Sequence, residues 1–184
     1  MTLTETPICN FGEKAKSFEL LSAVNKKISL NDIKGENGTL IMFICNHCPY
    51  VKAVVKDIVE DAKYLETLGI KSVAIMSNDV KNYPEDSFEN MLSFSKLHNF
   101  SFPYLIDETQ KIAKEYGAVC TPDFFGYNKN LELQYRGRIR ELKNLKPVGK
   151  GNSDLRIAMQ LIATSGKGPK NQIPSMGCNI KWFK

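Results

Sequence analysis

The order of apolar and polar stretches along the chain predicts strands and helices in alternation. Thr39–Leu40–Ile41–Met42–Phe43–Ile44–Cys45 is a continuous apolar run that follows the turn-forming Gly35–Glu36–Asn37–Gly38, the pattern of a strand buried on both faces. From Cys48 onward the period changes. Val51, Val54, Val55, Ile58, Ala62, Leu65 and Leu68 recur at helical steps, which puts them on one face of a helix that Gly69 stops. Ile70 to Met76 reads as a second buried strand, so residues 39–76 form the strand–helix–strand unit from which parallel sheets are made.

Shorter elements flank this unit. Phe18–Leu21 and Lys27–Ser29 read as a hairpin about Asn25–Lys26, and Ser87–His98 carries Phe88, Met91 and Leu92 at helical spacing. Tyr104–Ile106 is a short strand. Asp107 with Gln110 has the spacing of a capping box for a helix through Tyr116, closed by Gly117. Asp123–Tyr127 and Leu131–Arg138 read as an antiparallel hairpin about Asn128–Lys129–Asn130. Asn152 or Ser153 caps a last helix through Thr164, with Leu155, Ala158, Leu161 and Ile162 inward. No internal repeat is present. Ser165–Lys184 begins with Gly, Pro and Lys and ends with Ile173, Met176, Cys178, Ile180, Trp182 and Phe183, too apolar for a free tail.

Composition narrows the class. The chain of 184 residues is 42% hydrophobic and 24% charged, which excludes disordered and collagen-like proteins. Its net charge of +5 comes from scattered lysines with no interleaved stacking aromatics, so a nucleic-acid partner is not expected. No run reaches the roughly 18 apolar residues of a membrane span, and no secretion signal opens the chain. A cytoplasmic location and no membrane partner are the expectation. An odd number of cysteines, five, fits catalytic or metal-binding thiols better than a secreted disulfide framework.

The candidate chemistry lies at Cys45–Asn46–His47–Cys48–Pro49, where the buried strand ends and the long helix starts. Free N–H groups at a helix start stabilise an anion, so a cysteine there has a lowered pKa. Pro49 suits the first turn, where its missing N–H has no intrahelical partner. His47 is placed to stabilise a Cys48 thiolate as imidazolium.

Phe43-Ile44-Cys45-Asn46-His47-Cys48-Pro49-Tyr50-Val51-Lys52 resembles the active-site segment of the thioredoxin superfamily. Cys48 falls on the nucleophile, and Val51 stands where thioredoxins carry their second cysteine. Cys120-Thr121-Pro122-Asp123-Phe124 resembles the loop whose cis-proline packs against that nucleophile. These phrases, together with the C-terminal Pro174-Ser175-Met176-Gly177-Cys178-Asn179-Ile180-Lys181-Trp182, are similar to a peroxiredoxin-like, AhpC/TSA-like thioredoxin-domain group, over about residues 8–164. The resemblance implies an α/β thioredoxin-like sandwich, a mixed sheet with helices on both faces. We read residues 1–164 as that domain, with an N-terminal extension, and 165–184 as a tail packing on it or on a partner. Peroxiredoxins place Thr or Ser three residues before the reactive cysteine and a Pro earlier in the same loop. Here Cys45 takes the Thr position, that Pro is absent, and Arg138 or Arg140 would have to supply the peroxide-binding arginine.

The function expected is thiol redox chemistry with Cys48 as nucleophile: a thiol–disulfide oxidoreductase, or alternatively a thiol-dependent peroxidase with antioxidant activity. Catalytic candidates are Cys48, Cys45 and Cys120; Thr121, Pro122 and His47 are the substrate-binding candidates. Substrates would be protein or small-molecule disulfides or peroxides, turned over with a thiol electron donor and no cofactor. The resemblance implies a cis Thr121–Pro122 bond against Cys48 and a Cys45 side chain turned toward Cys48, with Cys120 the partner if Cys45 lies too far away. Bland readings stand beside these: Cys45 and Cys120 as core packing, and Cys178 and Cys9 without a role. A non-enzymatic zinc or copper module using Cys45, His47 and Cys48, completed by Cys120 and Cys178, is the third alternative. No metal is assigned to the site.

Overall fold

The computed structural model describes residues 2–184. In chain order the elements are β1 (Leu3–Glu5), β2 (Glu19–Ser22), β3 (Lys27–Ser29), β4 (Gly38–Phe43), α1 (Pro49–Glu66), β5 (Ile70–Met76), a 3-10 turn (Pro84–Asp86), α2 (Phe88–Leu97), β6 (Tyr104–Ile106), α3 (Lys111–Glu115), β7 (Cys120–Thr121), β8 (Asp123–Asn128), β9 (Leu133–Tyr135), β10 (Leu142–Lys143), β11 (Lys146–Pro147), α4 (Asp154–Ser165) and β12 (Met176–Asn179). The main sheet has the order β3-β2-β6-β5-β4-β8-β9. β4 pairs parallel with β5 and β5 with β6, while the other pairs in this sheet are antiparallel. The sheet is therefore mixed, as expected.

The continuous apolar run of β4 is explained by its central place. Leu40 and Met42 pack on one face with α1, α2 and α4 through Val51, Val54, Ile58, Met91 and Ile162. Ile41 and Phe43 face the other way, toward Ile112 and Ala113 of α3 and Tyr116, which caps its C-terminus. Alternating side chains thus serve two cores, so no position in the strand can be polar without a partner. Burying each such side chain stabilises the fold by about 1.5–3 kcal/mol.

Three local expectations are corrected. Gln110 does not complete a capping box: its amide donates to the carbonyls of Ser77 and Lys181, each at 2.8 Å, and accepts the Phe183 N–H. Tertiary partners for a buried amide outweigh a cap on a five-residue helix. Leu161 is exposed, because the inward stripe of α4 is Leu155, Ala158, Met159 and Ile162. The strand expected over 131–138 is confined to Leu133–Tyr135. Leu131 sits at φ 57°, and beyond Tyr135 the backbone bonds the C-terminal segment instead, Arg136 N–H to Gln172 Oε1 and Arg138 N–H to the Ile173 carbonyl.

Both chain ends meet beside the main sheet, where β12 lies between β1 and β7 in a three-stranded antiparallel sheet. Cys178 pairs with Thr121, and Asn179 with Cys120. Gly177 makes this approach possible, since a Cβ there would collide with the Thr121 carbonyl oxygen. No helix among the described residues is long and apolar enough to cross a membrane.

Replacing Gly177 with Ala should force β12 away from β7. We expect a loss of about 1–3 kcal/mol, measured as a lower midpoint of urea unfolding. A Gly177→Ala protein as stable as the parent would show that β12 does not seat against Thr121.

Candidate functional site

Cys48 is the N-cap of α1 and Pro49 the first helical residue. Its side chain is 0% exposed. The neutral thiol donates to the Thr121 carbonyl oxygen at 3.1 Å, so the Thr121–Pro122 bond, which is cis, lies directly against the sulfur. Cys45 lies two residues beyond β4, also buried, with Sγ 3.4 Å from the Thr121 hydroxyl. Cys9, Cys45, Cys48 and Cys120 are unbridged.

Several donors act on the Cys48 sulfur. The Cys45 S–H is the first, and burial opposes it; the Thr121 hydroxyl, the Val51 N–H and the Cys178 S–H add to it, bringing the Cys48 pKa down to about 5. The neutral side chain makes no cap bond to the helix, and its hydrogen is turned to the Thr121 carbonyl. Once ionised, Sγ is only an acceptor, and the Val51 amide in the first turn favours that form. The two neighbouring thiols respond in the opposite sense. Cys45 is pushed well above its ordinary range by its bond to Cys48, then by burial. Cys178 is pushed up to about 12 by burial and by its bond to Cys48. One negative charge is thus held on Cys48 by two thiols that keep their protons.

His47 and Asp86 form a second group on the same loop. Asp86, at the end of the 3-10 turn, is 0% exposed. Its oxygens accept from the His47 ring Nδ1 at 2.7 Å, Asn46 N–H at 2.8 Å, His47 N–H at 3.3 Å and Asn78 Nδ2 at 2.8 Å. Burial opposes the charge on Asp86, yet His47 and Asn78 hold its pKa below the usual carboxylate value. The hydrogen bond to Asp86 raises His47 in turn. The imidazole stacks on Tyr83, with ring centroids 5.6 Å apart. Asn46 is fixed by the Tyr104 hydroxyl at 3.0 Å and by its bond to the Glu85 carbonyl.

Of the residues anticipated from sequence, the structure brings Cys45, His47, Cys48, Thr121 and Pro122 together. Cys120 is placed differently from the expectation that it faces Cys48. Paired residues of an antiparallel ladder share a face and neighbours alternate, so Thr121 and Cys178 point one way and Cys120 the other. Its Sγ lies 3.7 Å from the Pro122 carbonyl, and burial pushes its pKa up. The loop is anchored instead by Asp123, which pairs with Arg136 at 3.0 Å. Burial drives Asp123 up to about 6 against the opposing guanidinium. Arg138 is held by Asp154 and Arg140 by Asp57, so each arginine proposed for peroxide binding already has a carboxylate partner.

A metal reading fares less well on the donors' own chemistry. Cys45 Sγ, a His47 ring nitrogen and an Asp86 oxygen lie within 4.8 Å of one another. Yet Asp86 is saturated by N–H donors, His47 among them, and an ion would have to displace those bonds. Sequence reasoning missed Asp86 and left Cys178 outside the catalytic candidates, with a place only in the metal alternative. Asp86 is a lone acid in a loop with no periodic signal, whereas Cys178 lay in the quoted C-terminal phrase and could have been weighed more heavily.

The model of the AhpC/TSA family matches residues 11–142. Among solved structures, an uncharacterized conserved protein from Geobacillus kaustophilus is 39% identical, with a TM-score of 0.94 over 100% of this chain and 97% of that one. A hypothetical protein from Sinorhizobium meliloti 1021 is 35% identical, with a TM-score of 0.91 over 98% of each chain. A thiol:disulfide interchange protein of the thioredoxin family from Chlorobium tepidum TLS is 16% identical, with a TM-score of 0.61 over 84% of this chain and 96% of its own; that likeness shows the thioredoxin-like fold alone. No curated protein matches the chain.

The donor arrangement makes a quantitative demand. Cys45→Ala and Thr121→Val each remove a hydrogen-bond donor to Cys48, so both should move the pH midpoint of its alkylation upward, Cys45→Ala further. An unchanged midpoint in Cys45→Ala would remove the S–H bond as the leading cause.

Proposed function

The chain belongs to the AhpC/TSA family, and from that premise we propose that it is a thiol–disulfide oxidoreductase in which Cys48 is the nucleophile and Cys45 resolves its mixed disulfide. The observation that carries this reading is that the two buried sulfurs converge on Thr121, Cys48 Sγ donating to its carbonyl at 3.1 Å and Cys45 Sγ lying 3.4 Å from its hydroxyl. A thiol held on the same residue as the nucleophile is positioned to attack it once oxidised. The chemistry balances in two steps. The Cys48 thiolate attacks a substrate disulfide, forming the mixed disulfide and expelling one thiolate. Cys45 then attacks Cys48, releasing the second thiolate and leaving a Cys45–Cys48 disulfide, two electrons having passed to the substrate.

The stabilised thiolate sets the direction of easy reaction. Attack weakens as a thiol becomes more acidic, but departure improves, and a couple whose reduced form is stabilised is a stronger oxidant. The Cys45–Cys48 couple should therefore be less reducing than thioredoxin, at about −270 mV. A thiol donor must close the cycle, and a cytoplasmic location belongs to this reading because such donors are abundant there.

Burial favours a second reading, thiol peroxidase activity. With both Cys48 and Cys45 closed to solvent, a peroxide needs less opening than a folded protein disulfide does. Its first step converts the Cys48 thiolate and peroxide into a sulfenic acid and an alcohol or water; Cys45 then condenses with the sulfenic acid, releasing water. The arginines weigh against it, since Arg136, Arg138 and Arg140 are each paired with a carboxylate.

Stopped-flow mixing of the reduced protein with glutathione disulfide and, separately, with hydrogen peroxide separates the two. We expect the disulfide to react faster, the product to map to Cys45–Cys48, and Cys48→Ser to lose the reaction. Faster reaction with peroxide would install the second reading, and a Cys48→Ser protein of full activity would overturn both.

A further inference from the structure

Cys178 is the third thiol at the site, and the ladder that carries it fixes where it points. It stands directly across from Thr121 in the pairing of β12 with β7. Paired residues of an antiparallel ladder share a face, with Cβ atoms about 4.5–5.5 Å apart. The Thr121 hydroxyl on that face lies 3.4 Å from Cys45 Sγ, and the Thr121 carbonyl takes the Cys48 thiol at 3.1 Å. Cys178 is therefore turned into the same buried cluster as the other two sulfurs, and its S–H bears on Cys48. The strand is pinned there. Ser175 Oγ donates to the Pro122 carbonyl at 2.8 Å and the Ile180 N–H to the Val119 carbonyl at 3.1 Å, and Gly177 lets the backbones approach.

Oxidation of Cys48 changes the surroundings of its two neighbours unequally. In a mixed disulfide the Cys48 sulfur is neutral, so the negative charge that opposed ionisation of both thiols is gone. Burial still acts on each. Cys45 Sγ also lies within 4.8 Å of an oxygen of the buried Asp86 carboxylate, an anion that opposes a thiolate beside it. Cys178 has a cation instead: the Lys181 ammonium favours its ionised form. That ammonium is held by the Asn179 carbonyl at 2.6 Å and Asn179 Oδ1 at 3.0 Å.

We infer that Cys178 is a second resolving thiol for Cys48, working beside Cys45, and that its product is a disulfide tying β12 to the start of α1. The inference rests on the reading of Cys48 as the nucleophile. In the mixed disulfide Cys178 gives up its proton and attacks Cys48 Sγ. The bond from Cys48 to the substrate sulfur breaks, and its electron pair leaves with the substrate as a thiolate, on which the Cys178 proton ends. The substrate disulfide has then taken up two electrons, one from each of Cys48 and Cys178, and no other oxidant is needed. The seating of the C-terminal strand is thereby tied to the redox state of the nucleophile.

The test mixes reduced protein with glutathione disulfide, quenches it in acid at intervals, and follows the Cys48 adduct and the intramolecular disulfides by mass spectrometry and peptide mapping. In Cys45→Ser the adduct should form and then discharge glutathione, leaving Cys48–Cys178 within one chain. Adding Cys178→Ser to Cys45→Ser should lengthen the life of the adduct by about 10²-fold or more, because attack by a positioned thiol gives way to attack from solution. A Cys45→Ser adduct as long-lived as that of the double variant overturns the inference and leaves the reading of Cys45 as the resolving thiol intact. Where either variant does not fold, the fully oxidised parent decides: its map should hold Cys48–Cys178 beside Cys45–Cys48, and Cys45–Cys48 alone overturns the inference. Cys48–Cys178 alone upholds it while overturning Cys45 as the resolving thiol. A parent in which Cys48 takes up no glutathione overturns the nucleophile, and the inference with it.

Discussion

A negative charge on a sulfur that water does not reach is the constraint on which this structure turns. Burial alone would raise the Cys48 pKa, and here it is overcome by hydrogen bonds from Cys45, Thr121, Val51 and Cys178. Those donors come from four places in the chain: the end of β4, β7, the first turn of α1, and β12. Cys45 and Val51 lie three residues from Cys48 on either side, whereas Thr121 and Cys178 reach it only through the tertiary fold. The two cores that flank β4 can accordingly be regarded as the rigid support that holds a strand end and a helix start at a fixed separation.

The C-terminal segment belongs to the site rather than decorating it. β12 carries Cys178 into contact with Cys48 by pairing with Thr121, and the residues after it continue to the second group. Lys181 N–H donates to Asn78 Oδ1, and Asn78 donates to Asp86, which holds His47. Gln110 grips the same segment from the other side through the Lys181 carbonyl and the Phe183 N–H. Loosening the last residues would therefore disturb the thiolate and the imidazole together, since one strand end supports both.

What the sequence disclosed follows the range of the interactions involved. The apolar run of 39–45, the helical stripe after Cys48 and the buried strand 70–76 are local patterns, and they placed β4, α1 and β5 within a residue or two. Cys48 at a helix start and the Thr121–Pro122 loop were legible because backbone chemistry limits what can stand there. The small sheet of β1, β12 and β7 was not, since it joins short segments from opposite ends of the chain. Asp107 and Gln110 matched a capping pattern, but the buried Gln110 amide found carbonyls distant in sequence. Asp86 gave no signal because its importance comes from four N–H groups on other segments turning toward it, and Cys120 was misplaced because its face depends on the register of β7 against β12.

The central claim, that Cys48 is a thiolate held by its thiol neighbours, is tested most directly by titrating the ultraviolet thiolate absorbance of the reduced protein. The account predicts one thiolate appearing with a midpoint near pH 5, absent from Cys48→Ser, with Cys45 and Cys178 ionising only at much higher pH. A protein with no thiolate until the range of a free cysteine, about 8.5, would contradict it.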